Sequence, residues 1–243
     1  LEECGYGSVY FVDDHFLLQP KRIEAICQGV MDAKLSIQWG IEGRVDSVAQ
    51  HLFPAMAKAH CRTVMFGIES GSQKILDRLK KEQTLEEVAT AVKNAKQAGI
   101  EIVHGFFTVG NPDETVEDMN ATFDLASKLP LDTFGFNRLC VYRGTPLWQE
   151  YVKRGLVSET TDWYKYFKCS SIDPTCLQGE LINDTRRAGL RLAADALALL
   201  EPHRRGAALE APLLVGPLVG RRRRRQRLNR RHRRGTRFER AGG

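Results

Sequence analysis

Carboxylates and small residues stand where short apolar runs stop. Thr63-Val64-Met65-Phe66 breaks into Gly67-Ile68-Glu69-Ser70-Gly71-Ser72-Gln73 and then into a helical pattern. At the C-terminal end of a buried parallel strand a carboxylate is well placed to meet a ligand, because loops there are carried by a rigid sheet. The same Glu69-Ser70 could instead only cap the next helix, whose first N–H groups favour a negative charge. The pattern recurs, which favours the ligand reading. Val9-Tyr10-Phe11-Val12 ends in Asp13-Asp14-His15, Leu35 to Trp39 leads to Glu42-Gly43-Arg44-Val45-Asp46, and Ile102 to Val109 leads to Gly110-Asn111-Pro112-Asp113-Glu114-Thr115. A fifth run, Thr133 to Phe136, reaches Gly144-Thr145-Pro146.

Helical patterns fill the gaps, over residues 20–34, 47–60, 72–79 continuing through 84–98, 115–128 and 146–154. Strands alternating with helices of this length build βαβ units on a parallel sheet. The fold class expected is α/β, a partial parallel (β/α) TIM-like barrel of about five βα units with a disordered C-terminal tail. Thr84 with Glu87 has the spacing of a capping box, Thr115 with Asp118 a weaker version, Gly99 marks a helix stop and Pro20 suits a first turn. Trp39 and the Phe106-Phe107 pair read as core. His104, within an apolar strand, reads as a core histidine before it reads as a substrate-side group.

Charge divides the chain. Residues 1–200 carry a formal charge of −5, whereas residues 201–243 hold 14 arginines, no lysine and three glutamates, so the basic balance belongs to the tail. Such a run repels itself and cannot build a core. It reads as an electrostatic arm for nucleic acid, or as the product of a shifted reading frame in GC-rich DNA. The expected domains are therefore a barrel over 1–155, a helical substrate-side extension over 156–200 and the arginine-rich tail over 201–243. An apolar content of 42% suits a globular domain. No segment has the length and apolarity of a membrane span, and six scattered cysteines point to reduced thiols in a cytoplasm, with Cys169 and Cys176, near Ser170-Ser171, having the best claim to being reactive.

In order and spacing, Asp13-Asp14-His15-Phe16, Glu42-x-Arg44-x-Asp46, Gly67-Ile68-Glu69-Ser70-Gly71-Ser72-Gln73 with Ile75-Leu76, Lys81-x-x-Thr84, Ala98-Gly99-Ile100, the Gly110 to Thr115 run and Gly144-Thr145-Pro146 resemble the radical S-adenosylmethionine superfamily. The resemblance covers about residues 1–155 and is nearest to the subgroup that carries a cobalamin-binding domain. It implies that Asp13 and Asp14 meet the methionine amino group, that Glu42 accepts from ribose hydroxyls, and that Arg44 and Lys81 face the methionine carboxylate. Glu69 and Ser70 then complete the wall beside the ribose, and the backbone of Gly110, Asn111 and Pro112 faces adenine. Asn111-Pro112-Asp113 departs from the apolar residue, Pro and Gly common in the family.

The family holds a [4Fe–4S] cluster with C-x-x-x-C-x-x-C, because three thiolates leave one iron open. No three cysteines here have that spacing. The run at residues 8–12 resembles the family's second strand, so the expectation is a fragment whose cluster loop and any cobalamin domain precede Leu1, inactive as it stands. In a complete relative, the resemblance implies, an electron from a donor such as flavodoxin or ferredoxin cleaves S-adenosylmethionine to a 5′-deoxyadenosyl radical, which leads to hydrogen abstraction or methyl transfer on an unidentified small molecule. The segment Trp163 to Lys168 is read as packing beneath the barrel rather than as a substrate contact. Two other classes stay open: a non-catalytic nucleic-acid-binding protein that uses the tail, and a metal-dependent lyase or hydrolase using Asp13, Asp14, His15 and His104. The last is disfavoured because consecutive strand residues face opposite sides.

Overall fold

A computed structural model describes residues 1–13, 15–158 and 160. Five strands, β1 (Ser8–Phe11), β2 (Gln38–Gly43), β3 (Cys61–Glu69), β4 (Ile102–Val109) and β5 (Thr133–Arg138), form one sheet. All neighbouring pairs are parallel, and their spatial order follows the sequence. Between and after them run α1 (Pro20–Asp32), α2 (Phe53–Lys58), α3 (Gln73–Arg78), α4 (Leu85–Gln97), α5 (Val116–Lys128) and α6 (Pro146–Lys153). Sequential strand order is the winding of a barrel, since a doubly wound sheet reverses its order at a switch point.

The alternation of side chains sorts the two faces. Ile41 of β2, Val64, Phe66 and Ile68 of β3, and Val103, Phe107 and Val109 of β4 form one core with Ile23 of α1, Phe53 and Met56 of α2, Val88 and Val92 of α4 and Phe123 of α5. The helices thus cover one face. On the other, Tyr10, Glu42, Met65, Gly67, Glu69, His104, Phe106 and Thr108 are partly or more exposed. Polar groups are thus gathered on the face that the helices leave open.

Local signals act as read. Thr84 and Glu87 close a capping box, and Asp118 closes the same reciprocal box with Thr115 despite its shorter side chain. Gly99 leaves α4 at φ +89°, where a Cβ would be strained. Two boundaries differ. β2 begins at Gln38 rather than Leu35, because the exit from α1 uses the intervening residues: Lys34 takes φ +52° and Leu35 N–H bonds back to Val30. The helix expected over 47–60 is a 3₁₀ stretch, Val48–Leu52, followed by α2. Pro54, which has no N–H to give, sits in the first turn of α2.

Trp39 is core, with its indole N–H donating to the Ala59 carbonyl at 2.6 Å. The Phe106-Phe107 pair is split: Phe107 is fully buried among the helices and Phe106 lies on the open face. His104 shares that face and is therefore not part of the helix-covered core. Asp14, Cys169, Cys176, the Trp163 to Lys168 segment, the extension beyond residue 160 and the arginine-rich tail lie outside the described residues.

Candidate functional site

Glu69 ends β3 with φ +70°, a left-handed conformation that is uncommon without glycine. A register shift between Gly67 and Glu69 against β4 produces it. Bulges of this kind re-aim side chains, and here the carboxylate is brought back over the open face. Lys81 Nζ, from the α3–α4 loop, donates to Oε1 at 2.8 Å, and Thr108 Oγ1, from β4, donates to Oε2 at 2.7 Å. The ion pair keeps 23% and 21% side-chain exposure, so it is neither dry nor freely solvated. Gly67 makes room: a Cβ there would lie 3.0 Å from Glu69 Oε1 and 3.2 Å from Lys81 Nζ.

Arg44 joins from the loop after β2. Its Nη2 donates to the Lys81 carbonyl at 2.7 Å, while Nε and Nη2 grip Asp46 at 2.9 and 2.7 Å. That side-chain pairing, in spite of partial burial, raises the Arg44 pKa and lowers that of Asp46. The pair therefore stays ionised, and Arg44 is fixed by protein groups.

The β4–α5 loop closes the rim. Asn111 Nδ2 donates to the Thr108 carbonyl at 3.0 Å, and the N–H groups of Gly110 and Asn111 both donate to Glu114 Oε2, at 2.6 and 2.9 Å. Burial pushes the Glu114 carboxyl up, and these hydrogen bonds work against that rise. Gly110, Asn111, Pro112 and Glu114 are all buried, and Asn111 Oδ1 has no partner. In the loop whose backbone is expected to face adenine, the N–H groups of Gly110 and Asn111 are thus taken by Glu114. Hydrogen bonds link Arg44, Lys81, Glu69, Thr108, Asn111 and Glu114 in turn, through the backbone carbonyl as well as the side chain at Lys81 and Thr108.

Other predicted residues stand apart from this chain of hydrogen bonds. Ser70 is fully buried on the helix side, where its Oγ lies 3.1 Å from Thr122 Oγ1 and accepts from Ser72 N–H. It anchors the strand end instead of lining the open face. Asp13 pairs with Arg22 of α1 at 2.5 Å, beneath which lies the Phe16 ring. Glu42, on the open face of β2, accepts from Tyr10 Oη at 3.2 Å and stands beside Met65 in the register. His104 Nδ1 is 2.7 Å from Thr133 Oγ1, and burial pushes its pKa down to about 4.

Glu114, Thr108 and Tyr10 join these groups without a motif that singles them out in the sequence. Period-two alternation against Val109 and Phe107 assigns Thr108 to the open face; nothing local foretells the inward turn of Glu114. Among the described residues no group of three His, Cys, Asp or Glu side chains is disposed to hold a metal ion, and no helix is long and apolar enough to cross a membrane.

Comparison with known proteins supplies the family. An uncharacterized methyltransferase of Pyrococcus horikoshii is 37% identical over 172 residues, covering 71% of this chain and 36% of that protein. A radical S-adenosylmethionine methyltransferase from Kitasatospora setae, solved with cobalamin and a [4Fe–4S] cluster, is similar over 63% of this chain and 29% of its own, with a TM-score of 0.57 and 18% identity. Coproporphyrinogen III oxidase of Escherichia coli, a radical SAM enzyme, is similar over 78% of this chain and 40% of its own, with a TM-score of 0.58 and 11% identity. At those identities the two structures speak for the fold alone. The chain spans between 18% and 36% of the length of the curated relatives it matches. The sequence pattern of the radical SAM superfamily matches residues 1–126, which contain the Glu69, Lys81 and Thr108 rim, and the chain belongs to that superfamily.

Proposed function

We propose that this chain supplies the S-adenosylmethionine-binding wall of a cobalamin-linked radical enzyme, with methyl transfer to a small molecule as the outcome. One observation carries the reading: Glu69, Lys81 and Thr108 converge from three segments of the chain on the open face, at the strand ends where barrels bind ligands. S-adenosylmethionine offers a ribose diol and an ammonium as donors and a carboxylate as acceptor. Carboxylates and cations on one rim complement it.

In this reading Glu42 and Glu69 accept from the ribose, Lys81 moves between Glu69 and the methionine carboxylate, and Arg44 acts through its hold on the Lys81 backbone. Asp13 and Asp14 receive the ammonium. Gly67 leaves the space in which the Glu69–Lys81 pair lies over the sheet. When bound, S-adenosylmethionine supplies a methyl or a 5′-deoxyadenosyl group. Among the described residues no three cysteines gather to fit a [4Fe–4S] cluster, Cys27 and Cys61 being buried, and the sequence has no C-x-x-x-C-x-x-C. The relatives named as methyltransferases support the methyl-transfer outcome.

Calorimetric titration of the 243-residue chain with S-adenosylhomocysteine tests the proposal. Glu69→Gln is expected to weaken binding about tenfold, the equivalent of about 1.4 kcal/mol. Unchanged affinity would remove Glu69 from the wall, and no binding by the parent chain would end the reading.

A further inference from the structure

We infer that Tyr10 is a positioning residue which makes the site discriminate ribose from deoxyribose, by holding the Glu42 carboxylate on the open face of the sheet. The inference rests on the reading of Glu42 as the ribose acceptor. Tyr10 and Glu42 come from neighbouring strands and are not register partners. Tyr10 is opposite Gly40, and Glu42 lies two residues further along β2 on the same face. Only a long side chain spans such a diagonal. Tyr10 does so, its hydroxyl reaching Glu42 Oε1 at 3.2 Å. An ionised carboxylate only accepts, so the phenol is the donor.

Gly40 permits this path. A Cβ at that position would lie 3.0 Å from Tyr10 Cδ2, 3.1 Å from Cε2 and 3.1 Å from Thr63 Cβ. The phenol ring therefore lies across the bare backbone of Gly40. It remains 37% exposed, on the face that the proposed nucleoside would use. Glu42 is partly buried and has flexible torsions; tethering Oε1 removes rotamer freedom before the ligand arrives and presents Oε2 to an incoming hydroxyl. A site built to take a hydroxyl rejects the analogue that lacks it, because the acceptor is then left unpaired.

The test compares S-adenosylhomocysteine with its 2′,3′-dideoxy analogue on the full chain, by calorimetry, with thermal melts to verify folding. The parent protein is expected to favour the ribose form about tenfold. In Tyr10→Phe, which keeps the ring and loses the hydroxyl, the preference should fall to about twofold through weaker binding of the ribose form alone. Gly40→Ala, which displaces the ring by another route, should lower it likewise. Full preference in both variants, or an equal loss for both nucleosides in Tyr10→Phe, overturns the inference while leaving Glu42 in place. Absence of preference in the parent, matched by Glu42→Gln, overturns the reading of Glu42 and Tyr10 with it.

Discussion

Glu69 occupies a conformation that disfavours it, at φ +70°. A non-glycine residue in the left-handed region costs about 1–2 kcal/mol, and here the cost is offset by Lys81 and Thr108, which hold the carboxylate in place. Strain that persists under such restraint accompanies function. Glu69→Gly therefore relieves the backbone while losing both contacts. Its unfolding free energy from urea melts is expected within about 1 kcal/mol of the parent, whereas binding of S-adenosylhomocysteine should fall below detection; a loss of stability with binding retained would contradict this. His104 gives a pH signature. Burial holds its folded pKa at about 4, below the ordinary 6.5, so the unfolded chain takes up a proton first as pH falls. Stability present above pH 6.5 is lost progressively down to about pH 4, with a ceiling of about 3 kcal/mol that residual solvent access lowers. In His104→Gln the urea midpoint should drift less over that window.

Between residue and element, the turn after β3 is fixed from α5. Gly71 N–H donates to Thr122 Oγ1 at 2.9 Å, and a Cβ on Gly71 would overlap the Ala121 carbonyl oxygen. Backbone cannot yield as a side chain can, so Gly71→Ala should cost about 3 kcal/mol or more in denaturant melts. Asp118 ties the same junction to the helix cap. It accepts from Ser72 Oγ at 2.7 Å and Lys74 Nζ at 2.5 Å while capping α5 through Thr115. Burial alone would raise its pKa; the bonds from Lys74, Ser72 and Thr115 outweigh that and hold it at about 2. The stability it contributes is present above its ordinary value of 3.8 and is lost as pH falls through about 2. Asp118→Asn is expected to lose about 1–2 kcal/mol at neutral pH, read from thermal melts, and to flatten the acid limb.

At the scale of the molecule, the main core joins β1 to β5 with α1, α2, α4 and α5, while Val141, Trp148, Tyr151 and Val157 form a second, smaller cluster around α6. The loop that carries Asn111 is linked to α6 through Asp113, which faces Arg78 at 3.6 Å and Arg154 at 3.4 Å. Arg78 and Arg154 both meet Glu150 of α6, at 2.6 and 2.7 Å. Exposed pairs of this kind contribute little each, so α6 depends chiefly on its own small cluster. Hydrogen exchange should show α6 amides opening at lower free energy than those of β2 to β4. Equal protection of both groups would mean a single cooperative unit.

Much of this architecture was written locally. Apolar runs marked five parallel strands, four of them with acidic endings, capping boxes marked α4 and α5, and the motif around Glu69 marked the rim, because hydrophobic period and cap chemistry act over a few residues. What lay beyond that range was decided by tertiary contacts. Ser70 and Glu69 are neighbours in the chain, yet the bulge against β4 aims one at α5 and the other at Lys81. Glu114 turned inward to take the N–H groups of Gly110 and Asn111, Phe106 parted from Phe107, and Tyr10 found Glu42 across a glycine 30 residues away. Each of these depends on which strand lies beside which and in what register, a relation that residues distant in sequence acquire only when the sheet assembles.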